Sequence, residues 1–374
     1  MITIKEAISK SELRAYVKFP LDLYKDNPYF IPPIIDDELE AFDKSSNPIF
    51  KNAEAYFYTA HKDGEMVGRI TAIINWDEVN MQGKLKVRFG WFDVIDDIEV
   101  TKALLEKVYQ LGRDNKLEYV EGPMGFSNLD KVGVLTEGFD QIGTMITWYN
   151  NSYYVDHLET LGYAVEKEYI ESIFSFSNVK PELFEKANDL IKKRYGLTAI
   201  NFKSTKAVMP YVDKMFDLFN TSYANLSSFV AISDIQKEYF KKKYIGLINP
   251  EYIKYIEDKD GNLVCFSIVM PSFSEALQKA KGSLWPFGWF HLLWAKKHSR
   301  DVVFYLIGIH PAYQNKGLTA IVFQEYYNTF TKNKIRNCIR TPELLENNSI
   351  HLLWKNFDPI IHCKRKTFRK SLTS

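Results

Sequence analysis

The segment Ile307-Gly308-Ile309-His310-Pro311-Ala312-Tyr313-Gln314-Asn315-Lys316-Gly317-Leu318-Thr319 is where residue types and spacing first point to chemistry. An apolar run ends at Pro311, a short polar loop follows, and a helical pattern opens at Gly317. Backbone N–H groups at a helix start lack intrahelical acceptors and carry partial positive charge, which suits a pyrophosphate. Gly317 has no Cβ to hold phosphates off the main chain. Lys316 adds a cation and Thr319 a hydroxyl donor, so Gln314, Asn315, Lys316, Gly317, Leu318 and Thr319 are expected to hold the anion. The competing reading is an ordinary strand-to-helix turn in which glycine supplies flexibility.

The elements around this loop occur twice. Ala55 to Thr59 and Met66 to Ile74 read as a hairpin across His61-Lys62-Asp63-Gly64, followed by a strand at Lys86 to Val94, a helix at Val100 to Gly112, a strand at Leu117 to Glu121 and a helix at Asn151 to Leu161. The second half repeats the order. After a strand at Leu197 to Phe202 and a helix at Thr205 to Leu226 comes a hairpin, Tyr252 to Glu257 and Leu263 to Met270, across Asp258-Lys259-Asp260-Gly261. A strand at Val302 to Ile309, a helix from Leu318 to Phe330, a strand at Ile335 to Arg340 and a helix at Asn347 to Asn356 complete it. A divergent duplication is expected, with units 1–177 and 178–374. A chain of 374 residues also exceeds what one core usually serves.

The loop resembles the acyl-CoA loop of the GNAT acyltransferase superfamily, roughly V-x-P-x-x-[RQ]-x-x-G-x-[GA]: Ile309, Pro311, Gln314 and Gly317 match, and Thr319 departs from the small residue. The resemblance implies an α/β fold of two tandem GNAT-like modules, each a mixed, mostly antiparallel sheet flanked by helices, with acyl-CoA as co-substrate and no metal. In that superfamily an Asn opens the following helix, which implies Asn347 or Asn348 at the cofactor. The tyrosine that often stands seven residues later is missing, since those positions hold Trp354 and Lys355. In the first half Asn151 precedes Gly162-Tyr163 at the superfamily interval, yet the loop Asp93-Val94-Ile95-Asp96-Asp97-Ile98-Glu99 carries four carboxylates that would repel a pyrophosphate. They are expected to cap a helix instead, Asp96 with Glu99 as a capping box, in a module without cofactor. The segments Phe19-Pro20-Leu21-Asp22-Leu23-Tyr24, Asn47-Pro48-Ile49-Phe50, Gly68-Arg69-Ile70, Glu121-Gly122-Pro123-Met124-Gly125-Phe126-Ser127 and Glu137-Gly138-Phe139-Asp140 are similar to those of long bacterial two-module GNAT-like proteins. Some relatives resemble N-acyltransferases that join fatty acyl groups to amino lipids.

The expected function is therefore acyl transfer from acyl-CoA to an amine, either a small molecule or a lipid. The Ile309 backbone would polarise the thioester carbonyl. His310, Glu343 and Glu346 are the candidate bases, because an ammonium group must lose a proton before it attacks. The alternative, which Trp354 favours, is a catalytically inactive acyl-CoA or lipid-binding scaffold. Leu284-Trp285-Pro286-Phe287-Gly288-Trp289-Phe290-His291-Leu292-Leu293-Trp294, followed by Lys296, Lys297, His298 and Arg300, reads either as an interfacial amphipathic segment or as a loop sealing the halves. The basic tail Lys364 to Phe368 is expected as a charged edge strand. A net charge of +1 gives no field for nucleic acid, and argues against a relative that uses aminoacyl-tRNA. The charged start and the lack of any run of about 18 apolar residues lead to an expected cytoplasmic address, with peripheral contact at the inner membrane face through Trp285 to Trp294 as the further option. Cys265, Cys338 and Cys363 are expected to be reduced packing residues.

Overall fold

The computed structural model describes residues 1–127, 129–224, 226 and 229–373. The first half runs β1 (Ile2–Glu6), α1 (Lys10–Leu23), α2 (Ile35–Phe42), β2 (Ala53–Lys62), β3 (Glu65–Asn75), α3 (Trp76–Gln82), β4 (Lys86–Val94), α4 (Ile98–Asp114), β5 (Tyr119–Gly122), β6 (Val134–Glu137), α5 (Tyr153–Thr160) and β7 (Ala164–Ser175). The second half runs α6 (Glu185–Tyr195), β8 (Thr198–Asn201), α7 (Thr205–Val208), α8 (Val212–Tyr223), α9 (Asp234–Tyr244), β9 (Ile253–Glu257) and β10 (Leu263–Pro271). It continues with α10 (Ser274–Ala280), α11 (Gly288–His298), β11 (Asp301–Ile309), α12 (Leu318–Asn333), β12 (Asn337–Leu344), α13 (Asn348–Trp354) and β13 (Ile360–Ser371).

Local chemistry accounts for most of these boundaries. The β2–β3 hairpin turns at Asp63 and Gly64, both with positive φ, the conformation that a two-residue turn needs to match strand twist. The helix expected over Thr205 to Leu226 is broken: Pro210 lies in a short turn between α7 and α8, where it lacks an N–H for the helix ladder.

All the strands form one sheet in the order β1-β2-β3-β4-β5-β13-β7-β12-β11-β10-β9-β8, with β6 beside β13. The two halves meet in the antiparallel pair β7–β13. β13 also pairs with β5, and β7 with β12, so each half receives its innermost strand from the other. The tail is thus no charged edge. Arg365 on β13 is buried against Glu171 on β7, Nε to Oε1 2.5 Å, and its guanidinium donates to the Trp148 carbonyl at 2.6 Å. Long strands with alternating charges were needed here, because every second residue faces an interior that both halves share. The three cysteines are buried and unpaired.

Candidate functional site

β11 and β12 run parallel from Asp301↔Asn337 to Phe304↔Arg340 and then separate. β12 shifts register between Arg340 and Glu343 and continues along β7, while β11 stays with β10 as far as Ile309. The strands diverge around a bulge at Tyr305, which lies between the pairs Val269↔Phe304 and Ile268↔Leu306. Although β11 lies inside the sheet, Phe304, Tyr305, Leu306, Ile307 and Ile309 are all partly exposed, because no strand covers that flank.

The backbone supplies donors to this opening. His310 donates its N–H to Val264 O on the β10 side at 2.9 Å. N–H directions alternate along a strand, so that of Ile309 points to the opening. Gln314 Nε2 reaches the Ile309 carbonyl at 3.4 Å, and the Tyr223 hydroxyl donates to the Ile307 carbonyl at 3.0 Å.

Just beyond, a turn at Pro311–Tyr313 leads into α12 through Asn315 and Gly317, with φ of 60° and 79°. No side chain caps α12, and the N–H groups of Gly317, Leu318 and Thr319 have no acceptor among the described residues. A Cβ at Gly317 would meet only Ile191, its Cδ1 at 2.7 Å, so the backbone itself forms the cradle. Lys316 stands over the rings of Tyr195 and Tyr313, 5.2 and 4.8 Å from their centroids. Leu318 is buried, Thr319 partly exposed, and Gln314 and Asn315 exposed. These donors fit a pyrophosphate. His310 Nδ1 accepts the Ala312 N–H at 3.2 Å, which gives it a capping role in the same turn.

The remaining residues picked from the sequence lie around α13. Asn347 caps that helix, its Oδ1 accepting the Ile350 N–H at 3.4 Å, and Asn348 is exposed at its first position. Glu343 is largely enclosed. It pairs with Arg340, accepts the Trp354 Nε1–H at 3.1 Å, and lies 3.6 Å from His351 Nδ1. Burial holds its carboxyl above the ordinary range despite Arg340. Glu346 is exposed, without a side-chain partner among the described residues. No hydrogen bond or ion pair among the described residues joins His310, Glu343 and Glu346 to one another. Trp354 is core, packed on Phe304, Phe323 and Phe174.

Three residues around the opening escaped the sequence. Arg340 and His351 complete the Glu343 cluster, and no local pattern in the sequence marked either. Tyr223 sat on a helical stripe that read as core. Its side chain is half-buried, and that burial pushes the phenol up to about 12.

In the first half the corresponding opening is closed. β4 and β5 pair from Lys86↔Tyr119 to Arg88↔Glu121, then part. Residues 122–127 and 129–150 fill the gap: Met124 N–H donates to Phe89 O at 2.8 Å, and a Cβ at Gly90 would strike Met124 O at 2.4 Å. Val94, which matches Ile309 in register, gives its N–H to the Tyr154 hydroxyl at 2.8 Å. All of β4 is buried. The cap of α4 is Asp97, not Asp96: Asp97 accepts the Glu99 N–H at 3.0 Å, whereas Asp96 lies 3.3 Å from His157. Asp93 is buried against Arg69. A cleft of about 520 Å³ lies wholly within this half, lined by Tyr24, Asn27, Tyr149 and Asn151.

The aromatic segment forms α11 and the turn before it. Leu284, Leu292 and Ala295 pack with Ile31 and Ile34 of the first half and with Tyr305 of the opening. Trp285 (81% exposed), Phe287 (72%), Phe290 (55%) and Trp294 (53%) face outward. Sealing and exposure are thus divided between the two sides of this segment. No helix among the described residues is long and apolar enough to cross a membrane. No group of three His, Cys, Asp or Glu among them is placed to hold a metal ion.

No protein-family model matches the chain. Protein YghO of Escherichia coli (strain K12) is 27% identical over 354 residues, covering 92% of this chain and 89% of that protein. Bacterial ceramide synthase of Caulobacter vibrioides is 25% identical over 293 residues, covering 77% and 74%. Among solved structures, a tandem GNAT protein from the clavulanic acid biosynthesis pathway superposes with a TM-score of 0.58 at 10% identity, covering 100% of this chain and 99% of that one. A GCN5-related N-acetyltransferase from Sphaerobacter thermophilus gives 0.54 at 10% identity, covering 99% and 96%. Strand order, the parted parallel pair in each half and these superpositions together make the chain a long, two-module protein of the GNAT fold.

Proposed function

We propose that the chain is an acyl-CoA-dependent N-acyltransferase, with its donor in unit 178–374 and none in unit 1–177. The observation that carries this reading is the coincidence of the β11–β12 opening with the uncapped start of α12. Gln314 to Thr319 hold the pyrophosphate, with Asn347 and Asn348 bordering the cofactor. The Ile309 N–H polarises the thioester carbonyl. The amine attacks that carbon, the C–N bond forms, and the C–S bond breaks. His310, Glu343 and Glu346 are the set from which the base is drawn. Tyr223, a protonated phenol at the opening, returns a proton to the leaving thiolate.

We further propose a long-chain donor and an amino-lipid acceptor, met at an anionic membrane surface. One similar protein is named a ceramide synthase, and a ceramide is an N-acyl lipid. Each buried methylene contributes about 0.8 kcal/mol, so an apolar channel favours a long chain over acetyl by orders of magnitude. The outward rings of the α11 segment suit the headgroup layer, and Lys296, Lys297 and Arg300 add about 1 kcal/mol each near anionic lipid.

The test is thiol release from palmitoyl-CoA and acetyl-CoA across a panel of amines and amino lipids, with vesicle co-sedimentation alongside. Turnover with palmitoyl-CoA, and vesicle binding weakened by Trp289→Ala and Trp294→Ala, are expected. Donor binding without thiol release for any amine points to the second reading, an inactive lipid-binding scaffold, which the buried Trp354 favours. Equal affinity for both donors removes the long-chain reading.

A further inference from the structure

The parallel pairing of β11 and β12 ends at Phe304↔Arg340, and the row just before it can be followed across the sheet. Ile360 of β13 stands opposite Ile173 of β7, and Ile173 opposite Ile339 of β12. Ile339 lies beside Val303 of β11, and Val303 opposite Met270 of β10. Residues in register share a face of a sheet, so these side chains form one apolar stripe. Their neighbours Phe174, Cys338 and Phe304 point the other way, into the core under α12.

The stripe is covered unevenly. Met270 packs beneath α10 and α11, and Val303 is buried. α8, on the same face, packs farther along, on Phe266, Ile268 and Leu306. Ile173 and Ile339 are partly exposed and Ile360 is 69% exposed. None of these three joins a buried apolar cluster among the described residues. The rows on either side are polar. On one, Asn337 stands opposite Ser175 and donates from Nδ2 to Asp301 Oδ1 at 2.9 Å. On the other, Glu171 is tied to Arg365. The first half's loop 138–147 follows that second row. The Cys363 thiol reaches the Gly138 carbonyl at 3.8 Å, and the Ser274 hydroxyl donates to Gly143 O at 2.9 Å. The loop therefore runs from β13 to α10 and walls the stripe on one side.

An exposed apolar stripe between polar rows, starting at the mouth of the opening, suits a hydrocarbon chain. With the thioester carbonyl at the Ile309 N–H, an acyl chain must leave by one face of the sheet. On the α12 face the route is filled: Trp354 packs on Phe304 and Phe323, and Arg340 stacks on Trp354, 5.1 Å from a ring centroid. On the other face the chain meets Ile339, Ile173 and Ile360. At about 4.8 Å per strand, Val303 to Ile360 spans about 14 Å, the reach of a fatty chain and far beyond that of an acetyl group.

We propose that the donor's acyl chain passes between β11 and β12 and lies along Ile339, Ile173 and Ile360, which makes these three isoleucines the residues that set chain length. This inference rests on the long-chain donor reading and adds the place where the chain lies.

The test titrates the full chain, without amine, with CoA and with palmitoyl-CoA kept below micelle formation. The wild type should bind palmitoyl-CoA more tightly than CoA. The triple variant Ile173→Thr, Ile339→Thr, Ile360→Thr keeps β-branched residues in the strands and should lose at least about tenfold in palmitoyl-CoA affinity, with CoA affinity unchanged. Ile173→Trp, which fills the stripe midway, should weaken palmitoyl-CoA binding and spare hexanoyl-CoA, and serves if the triple variant does not fold. Palmitoyl-CoA affinity retained in either folded variant overturns the proposal and leaves the long-chain donor standing. Equal affinity of the wild type for CoA and palmitoyl-CoA defeats the long-chain reading itself, and this inference with it. A wild-type dimer that the triple variant dissociates, at unchanged palmitoyl-CoA affinity, overturns the proposal by giving the stripe to a second copy of the chain.

Discussion

The two halves each contain a parallel strand pair that parts, and they differ in what occupies the gap. β4 is buried at all nine positions, and its terminal Val94 N–H is taken by Tyr154. The matching strand β11 is partly exposed over most of its length, and its Ile309 N–H has no acceptor among the described residues. The cause lies in the connection that follows. Between β5 and α5 the first half inserts residues 123–152, whereas Leu344 of β12 leads within a few residues to α13. The helix starts differ to match: α4 is capped by Asp97 and α12 is not capped at all. A duplicated fold can thus keep its frame while one copy becomes packing and the other remains a site.

That contrast can be broken at its shared centre. Arg365 joins β13 to Glu171 on β7 and holds the Trp148 carbonyl of the plug. Arg365→Ala leaves Glu171 as an unpaired buried charge and should cost about 3–5 kcal/mol in urea unfolding. CoA affinity of the fraction still folded should be unchanged; a cost below 1 kcal/mol would mean the pair is not what ties plug and strands together. Next in size, Gly317→Glu puts a carboxylate on the open helix start and strains a residue at φ 79°. CoA affinity should fall at least about a hundredfold, roughly 2.7 kcal/mol, and the wild-type stoichiometry should be one CoA per chain. Two CoA per chain would contradict a closed first module.

A third test sharpens the comparison inside the cores. Lys254 on β9 is buried, donating to Asn201 and Thr329 at 2.7 and 2.8 Å, where the first half matches it in register with Tyr58. Burial pushes the ammonium down to about 8 from its ordinary 10.5. Between those values the unfolded chain binds the proton and the folded chain does not, so stability attributable to Lys254 rises with pH across that window. The stability of Lys254→Met relative to wild type should therefore fall by about 2–3 kcal/mol from pH 8 to 10.5. A pH-independent difference would show that Lys254 titrates normally. The smallest effect is expected for Tyr154→Phe, which strips the Val94 N–H of its acceptor. A loss of about 1–2 kcal/mol with no change in CoA binding is expected, and any second CoA site that appeared would identify Tyr154 as the group that closes the first notch.

The sequence alone determined the alternation of elements, because turn chemistry and apolar spacing act locally: Asp63-Gly64 bends one hairpin, Asp258 to Gly261 the other, and the run Ile307 to Thr319 marks its own strand, loop and helix. It also set apart the acidic loop Asp93 to Glu99 from the neutral one at Gln314 to Thr319. What only the tertiary structure decided were contacts between residues far apart in the chain. The basic tail reads as an edge, since alternating charge is equally good for solvent and for a buried partner; Glu171, nearly two hundred residues away, settles which. Tyr223 reads as core because helical spacing shows which face is buried and not where a hydroxyl ends, and only the parting of β11 from β12 puts it at an opening. Likewise Leu129 lies in one module by sequence, yet its carbonyl accepts the Tyr305 hydroxyl of the other, a proximity that no local pattern encodes.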